Sequence, residues 1–394
     1  MRRRKKRIAA TLFMTFLLTV LFSGCWDSRE MDSLFIVTGM ALDKSPDSDE
    51  LTITLQVGKT QSKAASSSSD SSSEEKNMTI LLKASGDTPL EGIKRLNLNS
   101  SRALFLEHNQ AVLFGSDLAR QGLKEYIDFF LRDYESRMEV PVFVTEGPAE
   151  KILAVDLEQE QSTGMYLERV IQDLSELSPA YKVRMLDFVS CMRDENSAVL
   201  IPMVASYEEE ELQKLQICGM AIIQGGRMIG SLNNHETLGY VLAKGKAKVL
   251  IIDAQGEKGR ALFNTISLDT KREVKLKENG GVQVKYSVDA KLGIGELKGF
   301  ADMDILELMS ELTKMAENQI KEQITETFEK AKSLQADIFG IGKEIYRRQP
   351  KKWEKIKDNW DNLFSDIELT VEAKVLISET GKSLISLEMQ GGTR

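Results

Sequence analysis

Apolar and polar positions along this chain change period repeatedly, and each change marks an element. Residues 33–42 (SLFIVTGMAL) read as a strand broken by Gly39, and 51–57 (LTITLQV) alternates as its partner. Residues 78–84 resume the strand pattern. Between them lies QSKAASSSSDSSSEEKN, which is too polar to bury enough surface to order itself. It reads as a disordered serine-rich loop, 62–77, joining two paired strands. Thr88-Pro89-Leu90-Glu91 opens a helix, with Thr88 as N-cap, Pro89 at N1 and Glu91 closing a capping box. A short apolar strand, 110–114, precedes a helix capped by Ser116. Leu118, Leu123, Tyr126, Ile127, Phe130 and Leu131 form its apolar face. Another strand follows at 140–145. Residues 162–193 are helical in pattern, with an interruption at Ser178-Pro179, and 198–206 returns to strand.

YEEEELQK, 207–214, reads as a charged connector and a domain boundary. Strands at 217–224 and 227–231 flank Gly225-Gly226, a hairpin signal. A helix at 233–243 and strands at 248–253 and 260–268 follow. Beyond Thr270 the strands lengthen, at 273–277 and 282–292. A long helix then carries Ile305, Leu308, Met309, Leu312, Met315, Ala316, Ile320, Ile324 and Phe328 on one 3.6-residue stripe. A helix packed across a sheet explains this stripe better than a partner-binding coiled coil. Gly340-Ile341-Gly342 reads as its C-cap and turn. Pro350 begins a helix with Trp353, Ile356, Trp360 and Phe364, and strands at 367–377 and 383–388 close the chain. The fold class expected is α+β: three mixed α/β domains in series, 25–206, 207–268 and 269–394. The last has extended strands and a long helix packed across a sheet.

The first 24 residues are of another kind. Arg2, Arg3, Arg4, Lys5, Lys6 and Arg7 precede an apolar run at 8–22, the layout of a secretory signal. The run is short for a membrane-spanning helix, which needs about 20 apolar residues. Ser23-Gly24 then leads to Cys25, although Phe22 stands where leucine is usual. This is the lipoprotein arrangement: diacylglycerol joins the Cys25 thiol and the chain is cut before it. An uncleaved anchor with an incidental cysteine is the alternative. Either way the folded part lies outside the cytoplasmic membrane.

The whole chain carries a net charge of −8; residues 1–24 hold six positive charges and no acid, so the cleaved chain stands at −14. Such an acidic body is a poor partner for nucleic acid. It should also be repelled by anionic lipid, leaving membrane attachment to the tether. Cys191 and Cys218 sit in apolar settings (FVSCM, LQICGM), where a free thiol packs as a small hydrophobe, though the compartment also permits them to pair.

Catalytic sets are scarce. There is no G-x-S-x-G elbow and no phosphate-binding G-x-x-x-x-G-K-[ST] loop. Gly293-Ile294-Gly295 lacks the third glycine of a dinucleotide fingerprint. The only histidines, His108 and His235, are far apart, and no Cys/His cluster has zinc spacing. Glu107-His108-Asn109 is the most chemical-looking triplet, but neighbours in extended chain face opposite ways, so a hydrogen-bonding role at a strand entry is favoured. Asn234-His235-Glu236 suits a helix start, and the 208–211 acidic run suits solvent. No catalytic residue, metal site or cofactor site is expected.

Two blocks bear a resemblance. CWDSREMDSLFIVTGMALDK, 25–44, is similar to the mature start of the C-subunit lipoproteins of spore nutrient-germinant receptors, the Ger(x)C family. SRALFLEHNQAVLFGSDLARQGLKEYIDFFLRDYESR, 101–137, resembles a second family block through Gly115, Ala119, Gly122, Asp128, Phe129, Phe130, Arg132, Asp133 and Arg137. A looser match spans about 219–381, with Gly340, Gly342, Trp353 and Trp360. The resemblance implies a three-domain α+β lipoprotein on the outer face of the spore inner membrane. It implies two integral-membrane partners, an A type and a transporter-like B type, which together respond to small nutrients. It carries over one site, lipidated Cys25, and neither a catalytic residue nor a cofactor. The block with Trp26, Asp27, Arg29 and Glu30 either pairs within the fold or holds the domain near the membrane. A stand-alone solute-binding lipoprotein of a transporter is the alternative, although no internal duplication is visible. A surface hydrolase would need a nucleophile set or metal cluster.

Overall fold

The computed structural model describes residues 13–14 and 33–379, except 46–47, 49, 59–78, 133–134, 158–159, 178–179, 193–197, 246–248, 279 and 301–302. Cys25, the block 26–30, the serine-rich loop 62–77 and the expected strand 383–388 lie outside the described residues.

Strands β1 (Leu34–Lys44), β2 (Leu51–Gly58) and β3 (Thr79–Gly86) form an antiparallel meander, with Leu42 opposite Ile53 and Ile53 opposite Ala84. Every residue of β2 from Leu51 to Val57 is buried, so its polar positions Thr52, Thr54 and Gln56 lie inside. Helix α1 (Pro89–Leu98), β4 (Ala103–Phe105), β5 (Val112–Gly115), α2 (Ser116–Gln121), α3 (Lys124–Arg132), β6 (Val142–Thr145), α4 (Ala149–Leu153), α5 (Thr163–Leu177), α6 (Met185–Met192) and β7 (Ala198–Glu209) follow. Strands β1, β5, β6 and β7 run parallel, so helices fill their crossovers. Strands β8 (Leu212–Gln224) and β9 (Arg227–Leu232) complete a nine-stranded sheet, ordered β3-β2-β1-β5-β6-β7-β8-β9 with β4 beside β1.

A second sheet follows. It is built from α7 (Asn234–Lys244), β10 (Ile251–Gln255), β11 (Gly259–Leu276), β12 (Val282–Gly299), α8 (Ile305–Ser333), α9 (Ile341–Arg348), α10 (Pro350–Ile356), α11 (Trp360–Ser365) and β13 (Glu368–Glu379), with strand order β10-β11-β12-β13. Strands β12 and β13 are parallel, and α8 is the crossover between them. Its stripe buries Leu308, Leu312, Ala316, Ile320, Ile324 and Phe328, whereas Ile305, expected on the same stripe, lies exposed. Each of the buried Leu, Ile and Phe side chains contributes about 1.5–3 kcal/mol on leaving water, and Ala316 less. The fold is α+β, and its last part is the expected pairing of extended strands with one long helix across a sheet.

Several local readings change. Residues 207–214 are not a solvated connector: they are the tip of the β7–β8 hairpin, paired without a break to Glu209–Leu212. Glu210 and Glu211 form the two-residue turn at φ 53° and 67°, a left-handed geometry that glycine and asparagine adopt more readily. Acidic side chains hid this turn, whereas Gly225-Gly226 announced the β8–β9 turn correctly. Strand β11 runs unbroken through residue 268, paired to β12 as far as Leu276; its outer half alternates between half-buried and exposed, a weaker hydrophobic signal that split it in the sequence.

The helix expected after Ser116 is two helices. Gly122 turns at φ 139°, and the Leu123 N–H donates to the Gly226 carbonyl (2.8 Å) instead of continuing the helix. Gly115, not Ser116, occupies the N-cap position of α2, and the Ser116 hydroxyl accepts from the Gly147 N–H (3.2 Å). Thr88 caps α1 as expected, accepting from the Glu91 N–H (3.2 Å). The Glu91 carboxylate reaches one residue past the cap, to the Asp87 N–H (3.1 Å). Gly340 does not end α8. Gln335 does, at φ 53°, with Ala336 N–H bonded to Ala331 O (3.0 Å) and Gln335 N–H to Lys332 O (3.0 Å), a Schellman arrangement.

Replacing Glu210 by Asn together with Glu211 by Gly is expected to stabilise the protein by about 1 kcal/mol, since both residues then suit left-handed backbone. A urea midpoint that stays level or falls would contradict the turn assignment.

Candidate functional site

The first half is organised by two buried polar anchors. Asp43, at the end of β1, accepts from the N–H groups of Ala149 (2.6 Å) and Glu150 (2.9 Å), fastening the start of α4. Burial pushes the Asp43 carboxyl above its ordinary value, and those two N–H groups pull it part of the way back. Gly115 lies against it, and a Cβ there would fall 2.1 Å from Asp43 Oδ1. Gln56 is the second anchor. Its amide nitrogen donates to Leu153 O (3.0 Å) and Thr163 Oγ1 (3.2 Å), and its oxygen accepts from the Gly164 N–H (3.1 Å). The first set ties the start of α4 to β1, and the second ties the α4–α5 junction to β2.

The second half has its polar centre in the turn between α8 and α9. Asp337 is buried and accepts from the N–H groups of Ile341 (2.9 Å) and Gly342 (2.7 Å). Burial raises its pKa, and those two N–H groups and Arg272 act against the rise. Phe339 stacks on Phe328 (5.0 Å between ring centres) and meets Tyr240 (5.6 Å) and Tyr286 (6.1 Å). Its carbonyl accepts from Arg272 Nη1 (2.7 Å) and Lys244 Nζ (3.0 Å). Arg272 also grips Glu344 Oε2 through Nε (2.9 Å) and Nη2 (2.5 Å). Gly342 lies where a Cβ would meet the Trp353 ring at 2.7 Å, and Trp353 packs edge-on to Trp360 (5.2 Å).

Two clefts open around this centre. One, of about 400 Å³, is lined by Ala243, Lys244, Thr270, Arg272, Glu344, Arg347 and Arg348. The other, of about 270 Å³, lies between the two sheets, where Tyr181, Val183 and Val199 face Tyr240 and Ile338. Tyr181 and Tyr240 stack across it at 6.0 Å, and Lys244 borders both spaces.

The residues singled out in the sequence do not converge. Glu107 and His108 lie exposed in a turn after β4, not at a strand entry, and the His108 ring packs edge-on to Phe105 (5.6 Å). His235 lies at the start of α7 and meets Glu326 of α8 (3.0 Å), on the protein surface. The cap of α7 is Asn233, with Glu236 completing its box. Asn234 donates to Ile217 O (3.4 Å). Glu208–Glu211 form the exposed hairpin tip. Gly293 and Gly295 lie inside β12. Neither Cys191 nor Cys218 is joined in a disulfide. Burial, with the Glu146 carboxylate adding to it, pushes the Cys218 thiol up to about 11. Among the described residues no cluster of three or more His, Cys, Asp and Glu side chains could hold a metal ion. Among them, too, no helix is long and apolar enough to cross a membrane.

Comparison with known proteins accounts for both halves. The spore germination protein N-terminal domain matches residues 27–206, and the spore germination B3/GerAC-like C-terminal domain matches 218–381. The chain belongs to the GerAC family of spore germination proteins. Relatives include the putative spore germination protein YfkR of Bacillus subtilis (strain 168), 22% identical over 374 residues, covering 93% of this chain and 96% of that one. Spore germination protein KC of the same organism is 23% identical over 401 residues, covering 96% of each. The crystal structure of the GerBC protein shares the fold at a TM-score of 0.53 and 19% identity, over 86% of this chain and 96% of that one.

On the GerAC block 101–137, the structure assigns distinct physical tasks. Gly115 makes room for Asp43, Gly122 turns the chain between α2 and α3, and Phe130 is buried. Asp128 and Arg132 pair on the exposed face of α3 (2.6 Å), and Asp133 lies outside the described residues.

Two outcomes follow from these environments. Arg272→Met should cost roughly 2–4 kcal/mol, because the carboxylate of Glu344 is left largely buried beside fewer donors; Arg272→Met with Glu344→Met should recover part of that loss. A chemical-denaturation cycle in which the double variant is as unstable as the summed singles would contradict the pairing. Cys218 should react with iodoacetamide about 100-fold more slowly at pH 8 than an ordinary thiol, its rate rising about tenfold per pH unit up to pH 10. Mass-resolved alkylation of the folded chain reads this, and a plateau near pH 9 would contradict the raised thiol.

Proposed function

We propose that this chain is the lipid-anchored, non-catalytic subunit of a membrane receptor complex that senses small nutrients and triggers spore germination. The observation that carries this reading is the match of both germination-protein domains, the first beginning at residue 27, two residues after Cys25. Acylation at Cys25 and at the amino terminus exposed by cleavage places two or more acyl chains in the bilayer, which is what stable anchoring takes. The folded part is then held on the outer face of the cytoplasmic membrane, the inner membrane of the spore. Its partners are two integral-membrane subunits, one of the A type and one of the transporter-like B type. Confinement to the same surface raises the effective concentration of the subunit near them without any new contact. That advantage explains an anchor on an acidic body that anionic lipid would otherwise repel.

Spores carrying Cys25→Ala should lose this protein from the membrane fraction and respond to one class of amino acid or sugar at least about tenfold more slowly, as expected when tethering supplies the effective concentration. Immunoblots of membrane and soluble fractions, read beside germination on a nutrient panel, give both measurements. A null strain that germinates normally on every nutrient, with its relatives also deleted, would refute the receptor reading.

A further inference from the structure

The cleft beside Arg272 has a charge that opposes the rest of the molecule. Lys244, Arg272, Arg347 and Arg348 converge on it from α7, β11 and α9, and Glu344 is the one carboxylate in its lining. Both oxygens of Glu344 are already engaged: Oε2 holds Arg272, and Oε1 forms an ion pair with Arg348 Nη2 (3.2 Å). The lining therefore carries an excess of three positive charges in a chain whose net charge is −8. Among the described residues no carboxylate pairs with Arg347.

Arg272 is held in place before anything binds. Its side chain is only 21% exposed, and three of its five N–H donors are committed to Glu344 and the Phe339 carbonyl. Its remaining N–H groups lie on a guanidinium plane that those bonds have fixed, beside the buried Tyr286 hydroxyl, so a further hydrogen bond costs little ordering. Lys244 is set in a similar way, bonded to Phe339 O and lying 5.3 Å over the Tyr240 ring. At about 400 Å³ the space is that of a small-molecule site rather than a crevice for one ion. Arg347 and Arg348 stand at its exposed lip, where they add long-range attraction more than fixed geometry.

We propose that this cleft binds a small polyanion through phosphate or carboxylate oxygens, with Arg272 and Lys244 as the fixed donors and Arg347 and Arg348 closing over the outer charge. A free phosphate or polycarboxylate and the phosphate headgroup of an anionic lipid share this chemistry. The inference stands independently of the receptor reading, because it uses only the charge and geometry of the cleft.

Isothermal titration of the full chain in nonionic detergent tests it, with pyrophosphate, citrate and glycerol 1-phosphate as probes. At least one probe should bind, more weakly as salt rises. Arg347→Glu, which disturbs no ion pair of the described residues, should weaken binding at least about tenfold, as expected for loss of one charge-assisted contact and reversal of its charge. Lys374→Glu, the same charge change on β13, should leave the affinity unaltered. Preference for citrate or pyrophosphate assigns the site to a soluble polyanion, and preference for glycerol 1-phosphate assigns it to a lipid headgroup. No binding by any probe at millimolar concentration, or equal weakening by the two charge reversals, would overturn the proposal.

Discussion

The turn at 335–342 holds the second half of this protein together. The long helix α8 must be stopped, reversed and sealed within a few residues, and each step buries polar atoms. Gln335 in left-handed backbone satisfies the last carbonyls of α8. Asp337 takes the first N–H groups of α9, although burial opposes its charge. Phe339 fills the space between α8, α7 and β12 with its ring while its carbonyl anchors Arg272 and Lys244. An unpaired buried polar group costs about 1–3 kcal/mol, so the turn is stable only because its donors and acceptors are matched together.

The first half meets the same constraint through side-chain anchors. Asp43 and Gln56 lie on strands that are buried on both faces, where a polar side chain needs its partners close at hand. Asp43 finds them in the first N–H groups of α4, and Gln56 finds them at the end of α4 and the start of α5. Glycines at 115 and 164 allow that approach; a Cβ at Gly164 would come within 1.8 Å of Thr38 O. The parallel core β1-β5-β6-β7 is thereby locked to its helical layer by hydrogen bonds as well as by apolar contact.

Much of this was legible in the sequence where one residue type carries one geometry. Gly225-Gly226, Thr88 with Pro89, and the 305–328 stripe each announce their elements. These misses share a cause: a conformation held by surrounding hydrogen bonds in place of the residue type that usually adopts it. Glu210-Glu211 and Gln335 take left-handed backbone without glycine, and Gly122 splits a helix because the Gly226 carbonyl captures the next N–H. The cationic cleft was invisible for another reason. Lys244, Arg272 and Arg347 lie far apart along an acidic chain, and only the packing of α7, β11 and α9 brings them to one space.

The β7–β8 hairpin bears on how relatives in this family can exchange parts. The first matched domain ends at 206 and the second begins at 218, yet the strands carrying those borders are hydrogen-bonded neighbours in a single sheet. A recombination point placed between them would join two halves whose strand registers must agree residue for residue, or every side chain on the incoming strand would face the wrong side. The two matched domains therefore meet inside one sheet, and neither ends where the sheet does. Workable exchange is confined to chains that preserve the length of this hairpin.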